Sequence, residues 1–185
     1  MLNRTSVRGF NPLYYRCAPL IPETHHVDWD SYFYPLDSIL GWNRIYGRRV
    51  FIQFQRVLPL VTAFDGLTTL LTTLSQPGAG AFLGVLKRMG PQDGSVSFPM
   101  EGFTLELDCP IHPKSLALLE MMDEITLDHG GPFYLTKDAR MSASALQVSD
   151  PRLAPFAAYR QAQRWNDHFA SAQSDRLKLR RNTPS

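Results

Sequence analysis

From residue 48 onward, apolar and polar residues follow the periods that are typical of strands and of helices. Runs of strand-forming residues, bounded by proline, glycine or polar loops, predict strands at 51–58, 82–88 and 103–109, with a short fourth strand at 133–135. Apolar residues spaced by three and four positions predict helices at 65–74, capped by Asp65, and at 113–128, ended by Gly130. The predicted order is strand, helix, strand, strand, helix, strand.

This order predicts an α+β domain over residues 48–136, namely a ferredoxin-like antiparallel sheet with both helices on one face. Residues 1–47 are rich in Tyr, Trp and Pro and have little periodicity, so we interpret them as an aromatic lead-in segment that packs on something else. Residues 137–185 form a C-terminal extension, helical over 151–173 and ending in a disordered basic tail. Without a partner surface, five aromatic side chains of the lead-in segment are expected to be exposed: Tyr14, Tyr15, Phe33, Tyr34 and Trp42.

The first and third predicted strands, which are the central pair in a ferredoxin-like sheet, alternate between apolar and polar residues. In the strand at 103–109, odd-numbered positions are apolar; in the first strand, Gln53 and Gln55 oppose Ile52 and Phe54. Four polar side chains should therefore share the face away from the helices, with a fifth at the rim of the second strand: Gln53, Gln55, Glu106, Asp108 and Lys87. Simple solvation of an outer face would give the same pattern, but glutamine and carboxylates are poor residues for central strands.

Composition and charge narrow the class of protein only slightly. The formal net charge of +2 over 185 residues argues neither for nor against nucleic acid or a membrane surface. The two cysteines, Cys17 and Cys109, give no disulfide framework and fit a reducing compartment. The first ten residues lack the apolar stretch of a signal peptide, and no apolar run reaches the roughly 20 residues of a membrane span. We therefore expect a cytoplasmic protein without a transmembrane segment, and peripheral membrane association is left open.

Three alternative motifs do not fit the chemistry they would need. Gly78 and Gly80 precede a strand and lack the third glycine of a dinucleotide fingerprint. His25 and His26 have no partners at metal-site spacing, so we predict no metal site. The predicted strands lack the aromatic stacking positions of an RNA-binding module, so we predict no nucleic-acid partner.

Nine short segments, in order along nearly the whole chain, carry a likeness to one enzyme family. The most specific are YFYPLD at 32–37, GWNRIYG at 41–47 and GGPFYLTKDARM at 130–141. The others lie at 8–11, 13–15, 54–59, 82–90, 97–99 and 108–110. Together they resemble the FAD-linked oxidases of the vanillyl-alcohol oxidase superfamily, in the group of the decaprenylphosphoryl-ribose and D-arabinono-1,4-lactone oxidases.

The resemblance implies a role for each part of the chain. In this family, the region matching residues 1–131 is the substrate or cap domain, and the chain returns to the FAD-binding domain near Tyr134. Lys137 matches a lysine beside the flavin and the substrate, where a cation stabilises the negative charge that the ring gains with a hydride. Tyr134 and Arg140 are, by the same likeness, candidates for cofactor binding.

Other matched positions imply the substrate site. Gln53, Gln55 and Lys87 match family positions that line the substrate pocket, and Asp108 is a further substrate-binding candidate. Glu106 matches a position that faces the flavin, where mycobacterial members have a cysteine. A carboxylate there would act either as a base on a sugar hydroxyl or as a hydrogen-bond acceptor for the substrate, and both roles stay open. Lys137 and Glu106 are thus the catalytic candidates.

The resemblance implies a FAD-dependent oxidoreductase that oxidises an alcohol group of a sugar, polyol or sugar lactone by hydride transfer to flavin. In the family, an FAD-binding domain precedes the region that this chain matches. We therefore expect the chain to be inactive alone and to bind FAD only with a separately encoded FAD-binding domain as its partner. The alternative is a non-catalytic, stand-alone ferredoxin-like module, or the remnant of a truncated gene.

Overall fold

The structure, a computed structural model, describes residues 4–17, 24–34, 37–38, 40–41, 44, 50–75, 81, 83–92, 94, 98–165 and 170–179. The chain divides into two compact units, Met1–Val50 and Phe51–Ser185. The candidate chemistry predicted from the sequence lies in the second unit.

The first unit contains two helices, α1 (Arg4–Arg16) and α2 (Trp29–Phe33). The Asp28 side chain caps α2 by accepting a hydrogen bond from the Asp30 amide at 3.1 Å. Four of the five aromatic side chains predicted to be exposed have 52–82% of their surface accessible, and the fifth, Trp42, lies outside the described residues. Exposed aromatic surface of this kind is typical of an interaction site.

The second unit is built on a three-stranded antiparallel sheet in the order β1-β3-β2. The strands are β1 (Phe51–Pro59), β2 (Leu83–Met89) and β3 (Gly102–Pro110). The three longer strands predicted from the sequence are confirmed, apart from Phe82, which lies outside the described residues. The sheet and the helices that pack on it make this an α+β protein.

The predicted fourth strand is reduced to a single bridge between Phe133 and β1, after which the chain enters a 3₁₀ turn at Leu135–Lys137. Pro132 has no amide hydrogen to donate to a strand ladder, and its carbonyl oxygen accepts from the Val57 amide at 3.5 Å. Gly131 lies so close to β1 that a Cβ atom would stand 2.4 Å from the Val57 carbonyl oxygen. The glycine therefore lets the chain approach β1, and the proline keeps it from pairing further.

Two helices, α3 (Ala63–Leu74) and α4 (Pro113–Asp128), lie where the sequence predicts them. The predicted cap of α3 is wrong, because the helix begins two residues earlier with Thr62 as its N-cap residue. Asp65 lies within the first turn instead, where its negative charge is favourable to the helix dipole. Gly130 follows the end of α4 with a φ of 71°, as predicted for a residue in the left-handed region.

Both helices contact β1, and their apolar side chains form one core with the strands. Each large side chain removed from water contributes about 1.5–3 kcal/mol to folding. The largest fully buried apolar members are Phe54, Leu58, Leu70, Leu107, Leu119 and Met122. Because the inward residues of β1 and β3 occupy alternate positions, the other face of these strands is left to polar side chains.

The C-terminal part of the second unit contains α5 (Ala143–Ser149), α6 (Leu153–Ala162) and α7 (Ala172–Arg176). The predicted helical stretch at 151–173 is thus interrupted, and residues 166–169 lie outside the described ones. A second, smaller core holds this part together and consists of Phe133, Met141, Leu146, Leu153 and Leu177. Within the described ranges, no helix combines the length and the apolar character that crossing a membrane requires.

Candidate functional site

The face of the sheet opposite the helices carries the polar side chains predicted from the alternation of the strands. In the register of β1 and β3, Gln53 lies opposite Asp108, and Gln55 lies opposite Glu106. On β2, Lys87 lies opposite Thr104 of β3, which places the exposed lysine on the same face. The sheet therefore brings together polar residues that are about fifty positions apart in sequence.

Lys137 reaches this face from the 3₁₀ turn that follows the bridge to β1. Its Nζ atom donates a hydrogen bond to Gln53 Oε1 at 2.5 Å and lies 3.9 Å from Glu106 Oε1. The Gln53 amide nitrogen donates in turn to Asp108 Oδ1 at 2.9 Å and to Glu106 Oε1 at 3.3 Å. One glutamine thus links the lysine to both carboxylates. We refer to Lys137, Gln53, Glu106 and Asp108 as the lysine cluster.

The members of the lysine cluster differ in burial. Asp108 is 4% exposed, whereas the side chains of Glu106 and Lys137 retain 19% and 31% of their accessible surface. Gln55, next to the cluster, is buried and donates to Thr104 Oγ1 at 3.5 Å. A ligand can therefore reach three members of the cluster, the partly buried Gln53, Glu106 and Lys137.

Thr104 belongs to this face but is absent from the predicted site residues. It is fully buried, and its hydroxyl group accepts from the Gln55 amide and donates to the Arg56 carbonyl oxygen at 3.0 Å. The sequence signal for it is its even-numbered position in β3, in series with Glu106 and Asp108. Its bonds fix Gln55, so it supports the face without adding charge.

The two other predicted cofactor-binding residues lie outside the lysine cluster. Tyr134 stacks on Phe98, with ring centroids 4.3 Å apart and ring planes at 26°. Arg140 Nη2 pairs with Asp123 Oδ2 of α4 at 2.6 Å. The structure therefore brings Lys137 to the predicted site, whereas the Arg140 guanidinium is bonded to a helix.

Arg56 forms a second charged group, at a position of β1 in series with Phe54 on the helix face. Its side chain is 3% exposed, and its Nε and Nη2 atoms donate to Asp123 Oδ1 at 3.1 and 2.8 Å. The guanidinium also lies over the rings of Phe54 and Phe133, at 4.6 and 4.1 Å from their centroids. Burial lowers the pKa of Arg56, and the Asp123 carboxylate opposes that effect. The sequence signal for this pair is an arginine at a position where alternation demands an apolar residue.

Asp138, the residue after Lys137, has a side chain that is 1% exposed. Its carboxylate accepts from Arg176 Nη2 at 2.6 Å and from the amides of Arg140 and Met141 at 3.0 and 2.8 Å. Burial acts to raise the pKa of Asp138, but these donors, Arg176 foremost, bring the pKa below its ordinary value. An ionised, buried carboxylate therefore fixes the backbone next to Lys137.

The lysine cluster offers an ammonium group without a short ion pair, because no carboxylate oxygen of the described residues lies closer to Lys137 Nζ than 3.9 Å. Such a cation can stabilise negative charge on a ligand, and the Glu106 carboxylate can accept a proton or a hydrogen bond. In the part of the chain that the structure describes, no three His, Cys, Asp or Glu side chains are grouped as a metal ion would need.

Comparison with known proteins supports the family resemblance. No protein-family model matches the sequence. Over 150 residues, 80% of this chain, the sequence is similar to a known enzyme of the FAD-linked oxidase family. That enzyme is the decaprenylphosphoryl-beta-D-ribose oxidase of Mycolicibacterium smegmatis, to which the chain is 31% identical in the matched region. The match spans 32% of the mycobacterial enzyme's length. The family resemblance carried by the short sequence segments is thereby confirmed.

Proposed function

We propose that this chain forms the substrate-binding part of a FAD-dependent oxidoreductase that oxidises an alcohol group of a sugar, polyol or sugar lactone. The observation that carries the proposal is the lysine cluster, in which a cation, an amide and two carboxylates from separate segments meet on one face of the sheet. Similarity to an oxidase whose name specifies a ribose derivative supports the same class of reaction.

The ferredoxin-like form of the sheet and its role as a cap domain are part of this proposal. Support comes from the strand order β1-β3-β2, with Phe133 bridged to β1, since a ferredoxin-like sheet has its fourth strand beside the first. The helices α3 and α4 both pack against β1, and the polar face of the strands carries the lysine cluster. We place the substrate at that face.

The donor chemistry of the lysine cluster fits one edge of a flavin. Lys137 is half-buried and bonded to a neutral amide oxygen, so its charge stays available to an electron-rich ring edge. When bound, FAD supplies the acceptor for the hydride that leaves the alcohol carbon. Lys137 and Tyr134 would contact the cofactor, whereas Arg140, paired with Asp123, would act by holding the chain around them.

Glu106 has two candidate roles at one position. As a base, its carboxylate would take the proton of the substrate hydroxyl group as hydride leaves the neighbouring carbon. As an acceptor, it would only orient that hydroxyl group. Gln53 Nε2 at 3.3 Å and Lys137 Nζ at 3.9 Å hold the carboxylate in place for either role.

Gln53, Gln55, Asp108 and Lys87 complete the proposed substrate site. Asp108 is buried and accepts from Gln53 Nε2 at 2.9 Å, so it acts by orienting the Gln53 amide. Lys87 is exposed on β2, at the edge of the sheet, and would contact a more distant part of the substrate. The elements that bind the rest of FAD would come from an FAD-binding domain outside these 185 residues, which we propose as the partner of this chain.

Stopped-flow reduction of flavin in the complex of the chain with that FAD-binding domain tests the role of Lys137. Lys137→Met should slow reduction by about 10²–10³-fold, because the cation acts on charge that develops in the transition state. Gln55→Ala should instead weaken substrate binding and leave the limiting rate nearly unchanged.

The matched control is Lys114→Met, which removes an exposed lysine of α4 and should change neither the rate nor the binding of substrate. Reduction of the Lys137→Met complex at the wild-type rate would show that the role assigned to Lys137 is wrong. If instead the wild-type complex failed to reduce its flavin, the non-catalytic module would be the better description of the chain.

A further inference from the structure

The turn that presents Lys137 is held at both ends by α7, which lies 35 or more residues further along the chain. At the start of the turn, the Gln173 amide nitrogen donates to the Leu135 carbonyl oxygen at 2.6 Å. After the turn, Arg176 Nη2 donates to Asp138 Oδ2 at 2.6 Å, and Arg176 Nη1 donates to the Met141 carbonyl oxygen. Two of the residues that α7 contacts, Leu135 and Asp138, therefore lie on either side of Lys137 in the sequence.

The Asp138 carboxylate connects Arg176 of α7 to the backbone of the turn. While Oδ2 accepts from Arg176, Oδ1 accepts from the amides of Arg140 and Met141. The carboxylate is almost fully buried, so water cannot replace these donors without moving the turn. The backbone of residue 138, and with it the Cα atom of Lys137, therefore depends on α7.

α7 is itself fixed in place by its neighbours, although its five residues are too few for a helix that is stable alone. At its start, Ser171 and Ser174 form a reciprocal capping box. Just beyond its end, Leu177 is 1% exposed within the second core. The helix is thus an anchored support from which Gln173 and Arg176 reach the turn.

We propose that Gln173 and Arg176, which we term the α7 clamp, are positioning residues for Lys137. A lysine side chain has several rotatable bonds, and it loses conformational entropy when its ammonium group is held at one point. Fixing the backbone beside it reduces the freedom that remains to be lost, so the ammonium stays on Gln53 and near Glu106. The contacts described above are the evidence that the clamp positions Lys137. Its importance for the reaction rests on the proposed function.

Competitive acetylation of the full chain with acetic anhydride, followed by mass spectrometry, measures how accessible Lys137 is and needs no flavin. In Arg176→Met, Lys137 should be acetylated about tenfold faster relative to the exposed Lys87, because losing hydrogen bonds to a charged group shifts a local equilibrium by about that factor. Gln173→Leu should give a smaller increase, since its short bond is to the neutral Leu135 carbonyl oxygen and its second bond, to Asp138 Oδ2, is long at 3.4 Å. Arg176→Lys keeps a charged donor and should restore part of the protection.

Two controls separate a local effect from unfolding. Arg160→Met removes an arginine of α6 whose hydrogen bond goes to the Leu179 carbonyl oxygen at 3.5 Å, and it should leave Lys137 protected. Cys109 reports on the whole fold, since burial, followed by the charge of Asp108, raises the pKa of its thiol to about 11. It should stay unreactive towards a thiol reagent in every variant.

Unchanged acetylation of Lys137 in both Arg176→Met and Gln173→Leu would overturn the clamp. An increase in Lys137 acetylation that is accompanied by an equal increase in Cys109 reactivity would also overturn the clamp, because α7 would then support the fold as a whole. The flavin experiment is separate: if the Lys137→Met complex reduces flavin at the wild-type rate, the catalytic role proposed for Lys137 fails, while acetylation still decides the clamp. A third outcome would show that the positioning role is wrong. In it, Lys137→Met slows flavin reduction, but Arg176→Met reduces flavin at the wild-type rate although its Lys137 is acetylated faster.

Discussion

The two faces of the sheet each present a cation beside a carboxylate, but the two cations are bonded very differently. On the helix face, Arg56 is 3% exposed and donates to Asp123 at 2.8 and 3.1 Å. On the opposite face, Lys137 is 31% exposed, bonds to an amide oxygen and stands 3.9 Å from Glu106. The charge of Arg56 is balanced within the protein, whereas the charge of Lys137 is balanced only in part.

This difference separates a charge that is fully paired within the fold from one that could still bind a ligand. A buried guanidinium that donates two hydrogen bonds to one carboxylate oxygen, as Arg56 does to Asp123 Oδ1, is satisfied by directed hydrogen bonds, and a ligand has nothing to add to it. Removing one partner of a buried pair leaves an uncompensated charge and costs about 3–5 kcal/mol, whereas a partly exposed pair contributes about 0–1 kcal/mol. Substitutions should therefore affect stability strongly on the helix face and weakly on the polar face.

Asp123→Ala should give the largest loss of stability, about 3–5 kcal/mol in the free energy of unfolding. The carboxylate pairs with Arg56 at 2.8 Å and with Arg140 at 2.6 Å, so its removal leaves two guanidinium groups without their partner. Urea unfolding followed by circular dichroism measures this free energy.

Arg56→Met is the matched control, because it removes the buried cation and leaves Asp123 paired with Arg140. The apolar methionine side chain can pack beside the rings of Phe54 and Phe133, over which the guanidinium lies, so the loss should be only about 1–2 kcal/mol. Equal losses of stability in Asp123→Ala and Arg56→Met would contradict this account, because the shared carboxylate would then matter no more than one of its partners.

Asp138→Asn should have an intermediate effect, about 2 kcal/mol at neutral pH, from the loss of charge-assisted hydrogen bonds. The folded-state pKa of Asp138 is lowered, with Arg176 the strongest donor, relative to an unfolded value of about 3.9. Its stabilisation is therefore fully present above the unfolded pKa and is lost as the pH falls through the folded pKa. The stabilities of wild type and Asp138→Asn should therefore converge as the pH falls below the unfolded pKa of about 3.9 and through the lowered folded pKa.

The control for this pH dependence is Asp65→Asn, an exposed aspartate in the first turn of α3, which should cost less than about 1 kcal/mol. A constant difference between wild type and Asp138→Asn over the acidic range would contradict the ionised state that we assign to Asp138. The bond from Arg176 would then act mainly through geometry.

Alternation along β1 and β3 is enough to predict which polar side chains share a face, because the period of a strand is two and a shift by one residue would bury them. Gln53, Glu106 and Asp108 are brought together in this way. The contact of Lys137 with Gln53, by contrast, joins residues 84 positions apart and follows from no local period. The family resemblance singles out Lys137, and only the fold shows what it touches.

Two features of the structure have no local signal in the sequence. The bond from Gln173 to Leu135 depends on how a five-residue helix docks, which propensity cannot specify. Arg140 lies in the same motif as Lys137, yet its guanidinium bonds to Asp123 on α4. Residues of one sequence motif can therefore bond to opposite sides of a sheet, and only their bonding partners show which side each one contacts.

Glu106→Gln, on the polar face, should have the smallest effect on the free energy of unfolding, within about 1 kcal/mol. The amide is nearly the same size as the carboxylate and keeps an acceptor oxygen for Gln53, while the ion pair that it removes is 3.9 Å long and partly exposed.

A carboxylate that contributes little to folding can instead act on a ligand, and the rate of flavin reduction in the complex measures that action of Glu106. As a base, Glu106 would be worth about 10²–10⁴ in rate, and its loss would slow the chemical step at unchanged stability. As a mere acceptor, it would leave the rate near that of the wild type. A loss of stability comparable to that of Asp123→Ala would instead show that the polar face is held together by its charges, as the helix face is.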